Sequence, residues 1–150
     1  RKLIKMKKIL LLILVSLFTN SITSQESVEI KDTGFGDISI NIKTNGFGDI
    51  SVVFTETFSD ITVGFTNRKY KADFVLKHSG IADRSVKITK NGLADITIVQ
   101  KDFGQGDVSI QIKDNSIVDY LIYSDKGSIT KAEIIAALID IIKEKADYED

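Results

Sequence analysis

The chain has 150 residues, 43% of them hydrophobic, a formal net charge of −1, and neither cysteine nor proline. This is one domain's worth of ordinary globular composition, and the absence of cysteine excludes disulfides, thiolate chemistry and cysteine-based metal sites. Ordinary usage of ~5% would supply about seven prolines; proline removes a ladder donor, so its absence suits a chain that is hydrogen-bonded sheet for most of its length.

Residues 1–24 read as a secretory signal peptide with a short upstream extension. Lys5, Lys7 and Lys8 form a basic region, Ile9 to Phe18 an apolar run broken only by Ser16, and small polar residues follow from Thr19 to Ser24. The run is shorter than the ~20 residues a spanning helix needs, so no transmembrane segment is expected in the mature chain. Met6 is the expected start and Gln25 the expected first mature residue. The segment carries five of the 20 basic residues and none of the 21 acidic ones, leaving 15 against 21 and a net charge of −6. An acidic exported protein is unsuited to nucleic acid, whose phosphates demand a basic face. The expected location is the periplasm, the cell surface or the medium.

Residues 25–124 are organised by a repeat. An aspartate recurs at Asp37, Asp49, Asp60, Asp73, Asp83, Asp95, Asp107 and Asp119, close to every twelve residues. The residue before it is small in every unit except the last, where Val118 stands. Three places after it come Ile40, Val52, Val63, Leu76, Val86, Ile98, Ile110 and Ile122, all aliphatic. Between these sit polar Ser39, Ser51, Thr62, Ser85, Thr97 and Ser109, giving the period-two alternation of strands with one buried face. Eight short strands are predicted, with the aliphatic column lining the interior. The small residue lets neighbouring backbone approach closely, and the aspartate is expected to fix a turn by accepting nearby backbone N–H bonds. Phe35, Phe47, Phe58, Ile81, Leu93 and Ile117, two places before the aspartate, are expected to point inward by the parity of the pleat. About six residues remain for each connection, too few for a helical crossover. The strands then form either an antiparallel meander or a solenoid-like coil in which units two apart stack.

Tyr70-Lys71-Ala72-Asp73, Ala82-Asp83-Arg84-Ser85-Val86-Lys87-Ile88 and Ala94-Asp95-Ile96-Thr97-Ile98 resemble the recurring units of the septoil-knot family, small and often exported bacterial β-repeat proteins. The resemblance runs from Phe35 to about Tyr123. It implies a chain wound around itself as a seven-crossing torus knot, and it brings no activity and no catalytic residues.

From residue 125 to 150 the period changes to that of a helix. Ile134, Ile135, Leu138, Ile139, Ile141 and Ile142 recur at helical spacing, and Thr130 with Glu133 reads as a capping box. One helix is predicted from Lys131 to about Ala146, followed by a frayed acidic tail. Its stripe either lids the β body or docks a partner or second copy through Ile134, Ile135, Leu138, Ile139 and Ile142.

The chemistry on offer is sparse. His78, the only histidine, falls in the inward column and is expected to be a core or boundary residue. The eight aspartates are a calcium alternative, although calcium wants six to eight oxygens and each unit supplies one carboxylate. The Ser/Thr column is a glycan-binding alternative to an ordinary solvated sheet face. The expected whole is an all-β repeat protein with one C-terminal helix, exported, non-enzymatic and without cofactor. It would be a structural or protein-interaction module of the cell envelope, its partner an envelope protein or another copy of itself.

Overall fold

The computed structural model describes residues 24–114 and 117–148. The expected signal segment therefore lies outside the described residues apart from Ser24. Among the described residues there are nine strands: β1 (Glu26–Lys31), β2 (Ile38–Lys43), β3 (Ile50–Phe54), β4 (Ile61–Phe65), β5 (Phe74–Lys77), β6 (Arg84–Thr89), β7 (Ile96–Lys101), β8 (Val108–Ile112) and β9 (Tyr120–Ser124). A 3₁₀ turn (Lys69–Lys71) precedes β5, and helices α1 (Lys131–Ala137) and α2 (Ile139–Lys145) close the chain.

The strands form a closed barrel in the order β1-β5-β9-β4-β8-β3-β7-β2-β6, every pairing parallel. This overturns both expected topologies. There is no antiparallel meander, and the units do not stack as a solenoid; the sheet closes on itself and leaves no edge. Each strand pairs with those four and five units away, except β5, whose two partners β1 and β9 are both four away; consecutive strands are always separated by one strand of a distant unit. The stagger is regular. The residue after one aspartate pairs with the residue three places after another, as in Ile38↔Val86, Ile50↔Ile98, Ile61↔Ile110 and Phe74↔Ile122. Only the β1–β5 seam departs, with Val28↔Leu76. A constant stagger tilts the strands against the barrel axis. Each connection therefore has only to cross one intervening strand, which is why about six residues suffice.

The crossings lie on the outside. The connection from β1 to β2 passes β6, where a Cβ on Gly36 would stand 2.8 Å from Lys87 N and 3.1 Å from Lys87 Cβ. Val86 beside it is buried in the interior, so Lys87 marks the outer face. Gly48 passes β7 and Gly106 passes β3 in the same way, a Cβ there meeting Thr97 O at 2.9 Å and Ser51 O at 3.0 Å. The exception at Val118 has its own solution. The strand it crosses carries Gly64, whose Cβ would lie 3.1 Å from Val118 Cγ2. The small residue has moved from the connection to the strand beneath it. These crossings also bury Val53 and Val99, which face outward on their strands but not to water.

Ile40, Val52, Val63, Leu76, Val86, Ile98, Ile110 and Ile122 are all fully buried and form one cluster with Val28, which belongs to a strand not predicted from the repeat. Gln25 stands where β1 would have its aspartate, and its side-chain amide donates to Ala72 O (2.9 Å).

The C-terminal segment occupies the same core. Ile134 through Ile139, together with Ile142, are fully buried, and a helix that is apolar on every side is an interior helix. Lys131 Nζ bonds Asp102 Oδ1 (2.6 Å) and lies over the Phe54 ring, near the C-terminal ends of β7 and β3. Arg84, the first residue of β6, donates to Ala137 O (2.5 Å) and Asp140 Oδ2 (2.8 Å). The segment therefore runs from one mouth of the barrel to the other. It is a plug rather than a lid over an end. The single predicted helix is broken at Leu138 (φ −101, ψ 11), where Arg84 binds the adjacent carbonyl; a side chain inserted at the helix backbone is a recognised cause of such breaks. The predicted capping box is present: Thr130 N donates to Glu133 Oε2 (2.7 Å), and Glu133 N to Thr130 Oγ1 (3.2 Å). Asp147 and Tyr148 fold back on α2, Tyr148 N donating to Lys143 O (2.9 Å).

Candidate functional site

The repeated aspartates do not fix local turns, as expected, but clasp a strand from a distant unit. Asp37 Oδ2 accepts from Ser85 N (2.6 Å) and Ser85 Oγ (3.0 Å). Asp95 does the same with Ser39, Asp107 with Ser51, Asp119 with Thr62, Asp83 with Ser27 and Asp60 with Ser109. Asp49 takes the Thr97 N–H (2.6 Å) and Asp73 the Leu121 N–H (2.7 Å). In return the aspartate N–H reaches the partner's carbonyl, as in Asp107 N to Ser51 O (2.9 Å). Each clasp pins a connection to the strand it has just crossed. Backbone and then hydroxyl donors hold Asp37, Asp83, Asp95, Asp107 and Asp119 below the usual carboxylate range, and for Asp60 the Ser109 hydroxyl leads. This depression is what hydrogen bonding to the charged form produces.

The arrangement spends the two candidate columns on each other. One oxygen of each aspartate is engaged in a separate clasp, and the Ser/Thr residues of the outer column meet those aspartates. Among the described residues, no group of three or more acidic or histidine side chains could hold a metal ion. The five residues offered for partner docking, Ile134, Ile135, Leu138, Ile139 and Ile142, face the barrel's own core.

His78 is a boundary residue with a definite role. Its Nδ1 lies 2.6 Å from Asp125 Oδ1 and its Nε2 2.7 Å from Glu133 Oε1. Sequence pattern could not find these partners, because they come from the segment after β9 and from α1.

The expected inward direction of Phe35, Phe47, Phe58, Ile81, Leu93 and Ile117 is corrected: their exposures run from 92% to 102%. The parity argument treats the pleat as continuous through the connection. The connection instead lies against the outside of the barrel, so the small residue faces the strand beneath and the residue before it faces water. Tyr70 and Phe103 are the corresponding exposed side chains of the other two connections. Each of the eight connections thus carries one large, solvent-facing apolar or aromatic residue, and together they encircle the barrel.

No protein-family model matches this sequence, and no curated protein matches it.

Proposed function

We propose that this chain is an exported, non-enzymatic β-repeat protein acting as a protein-interaction or structural module of the cell envelope. We further propose that it is a knotted member of the septoil-knot family. The observation that carries the interaction reading is the circle of eight exposed apolar side chains, one on every connection. Single exposed apolar residues need no explanation; what supports association is their recurrence, one large apolar or aromatic side chain on each of the eight connections. The groups a hydrolase would need serve the fold here: both ring nitrogens of His78 face carboxylates, and clasp hydroxyls donate to aspartates. The knot reading is supported by connections that pass outside strands of units four and five away.

The test replaces Phe35, Phe47, Phe58 and Leu93 together by serine. Thermal unfolding is expected to be unchanged, because these side chains touch solvent. Cross-linking in the native envelope is expected to capture a partner or a second copy with the parent protein and not with the variant. Equal capture by both, or capture by neither, would refute the reading.

A further inference from the structure

His78 follows β5 at the mouth where the C-terminal plug enters, and its ring joins three pieces of chain. Asp125, just after β9, meets Nδ1 through Oδ1 (2.6 Å) and accepts the His78 backbone N–H through Oδ2 (3.2 Å). Glu133, on the first turn of α1, meets Nε2 through Oε1 (2.7 Å) while its other oxygen closes the capping box with Thr130 N and Oγ1. A neutral imidazole carries one N–H and would turn a lone pair toward one of the two carboxylates. Only the imidazolium donates to both. Burial pulls the ring toward its neutral form, but the bonds to Glu133 and Asp125 outweigh burial and the nearby Lys126 charge, so its pKa is raised above the ordinary histidine value. Burial in turn raises both carboxylates; bonds to His78 reverse this for Asp125, and bonds to His78 and Thr130 together reverse it for Glu133, leaving both below their ordinary values. Glu29, Lys31 and Asp32 line the same recess as His78 and Lys126.

We propose that His78 is a pH-operated latch: as an imidazolium it holds the first turn of the C-terminal helix in the barrel mouth, and loss of its second ring proton frees that turn. The buried run from Ile134 to Ile139 keeps the rest of the plug in place, so the opening is local. A group whose folded pKa is raised stabilises fully below its unfolded pKa, and that stabilisation is lost as pH rises through the folded value. The latch is therefore closed in mildly acidic solution and opens on the alkaline side of the ordinary histidine value. On the acid side the depressed carboxylates keep it closed until they protonate.

The experiment follows the full chain by NMR between pH 5 and 9, reading the His78 ring signals and the exchange protection of the Thr130, Glu133 and Ile134 amides, corrected for intrinsic rates. Protection is expected to fall about tenfold, the scale of one lost hydrogen bond to a charged group, with the same midpoint as the ring titration. In His78→Gln the step should vanish. In Asp125→Asn, which leaves the capping box intact, the ring midpoint should move down. Protection that is flat across this range in the parent, or a step that persists in His78→Gln, overturns the proposal. If His78→Gln does not fold, an unchanged ring midpoint in Asp125→Asn overturns it equally.

Discussion

Leu138 and Leu93 are the same residue in opposite settings, and shortening each to alanine tests the architecture directly. Leu138 sits at the break between α1 and α2, 0% exposed inside the barrel, while Leu93 stands on the β6–β7 connection at 102%. Leu138→Ala removes three carbons from the core. At ~0.8 kcal/mol per buried methylene the transfer loss is about 2.4 kcal/mol, and the cavity that a closed barrel cannot collapse around brings the total to about 3 kcal/mol. Against a domain stability on the order of 5–15 kcal/mol this is a large fraction. For a chain of this size it lowers Tm by about 6–12 °C. Leu93→Ala removes the same atoms from water and should change stability by less than about 0.5 kcal/mol.

Both variants can be compared by urea and thermal denaturation monitored by circular dichroism. The comparison is internal: chemistry and unfolded-state effects are the same, so the difference isolates position. If Leu93→Ala is as damaging as Leu138→Ala, the connection side chains are packed and the outside-crossing geometry is wrong. If Leu138→Ala is silent, the C-terminal segment is not in the barrel.

Two further outcomes follow from the crossings and the clasps. Gly64→Ala should destabilise by about 1–3 kcal/mol through crowding, because its Cβ would meet Val118 Cγ2 at 3.1 Å and Leu121 Cδ2 at 3.2 Å; adding Val118→Ala should recover part of the loss, a coupling measurable by a double-mutant cycle. The six clasp aspartates with depressed pKa contribute stability that is present above their unfolded pKa and lost as pH falls through their folded values, so urea midpoints should decline below the ordinary carboxylate range. Ser51→Ala, which removes one of the donors to Asp107, should make that acid decline shallower.

The strands after Phe35 and their inward column were legible because a pleat alternates at period two, and an aliphatic residue in every unit leaves little choice of face. The helix was legible through Thr130 and Glu133, a local signal. What escaped was non-local. β1 lacks the aspartate that marks the other units, although Val28 and Ile30 keep the alternation. Closure depends on pairings such as Ser39↔Lys87 and Asn41↔Thr97, which join residues about fifty positions apart, and no window of sequence contains them. The plug's depth likewise depends on the width of the barrel, not on the helix's own stripe.

The aspartate and the hydrophobe before it teach opposite lessons about the same turn. Crossing a strand on its outer side requires one thin contact, and the chain meets that need by either partner: Gly36 over Lys87, or Gly64 beneath Val118. The clasp then secures the crossing. Neither demand says anything about the residue that faces away, two places before most of the aspartates. Geometry requires only that it be exposed, and solubility alone would favour a polar side chain there. All eight connections nevertheless present a large apolar or aromatic group to water. Fold requirements account for the glycine and the aspartate but leave this choice unexplained; the association proposed for these exposed side chains would supply its reason.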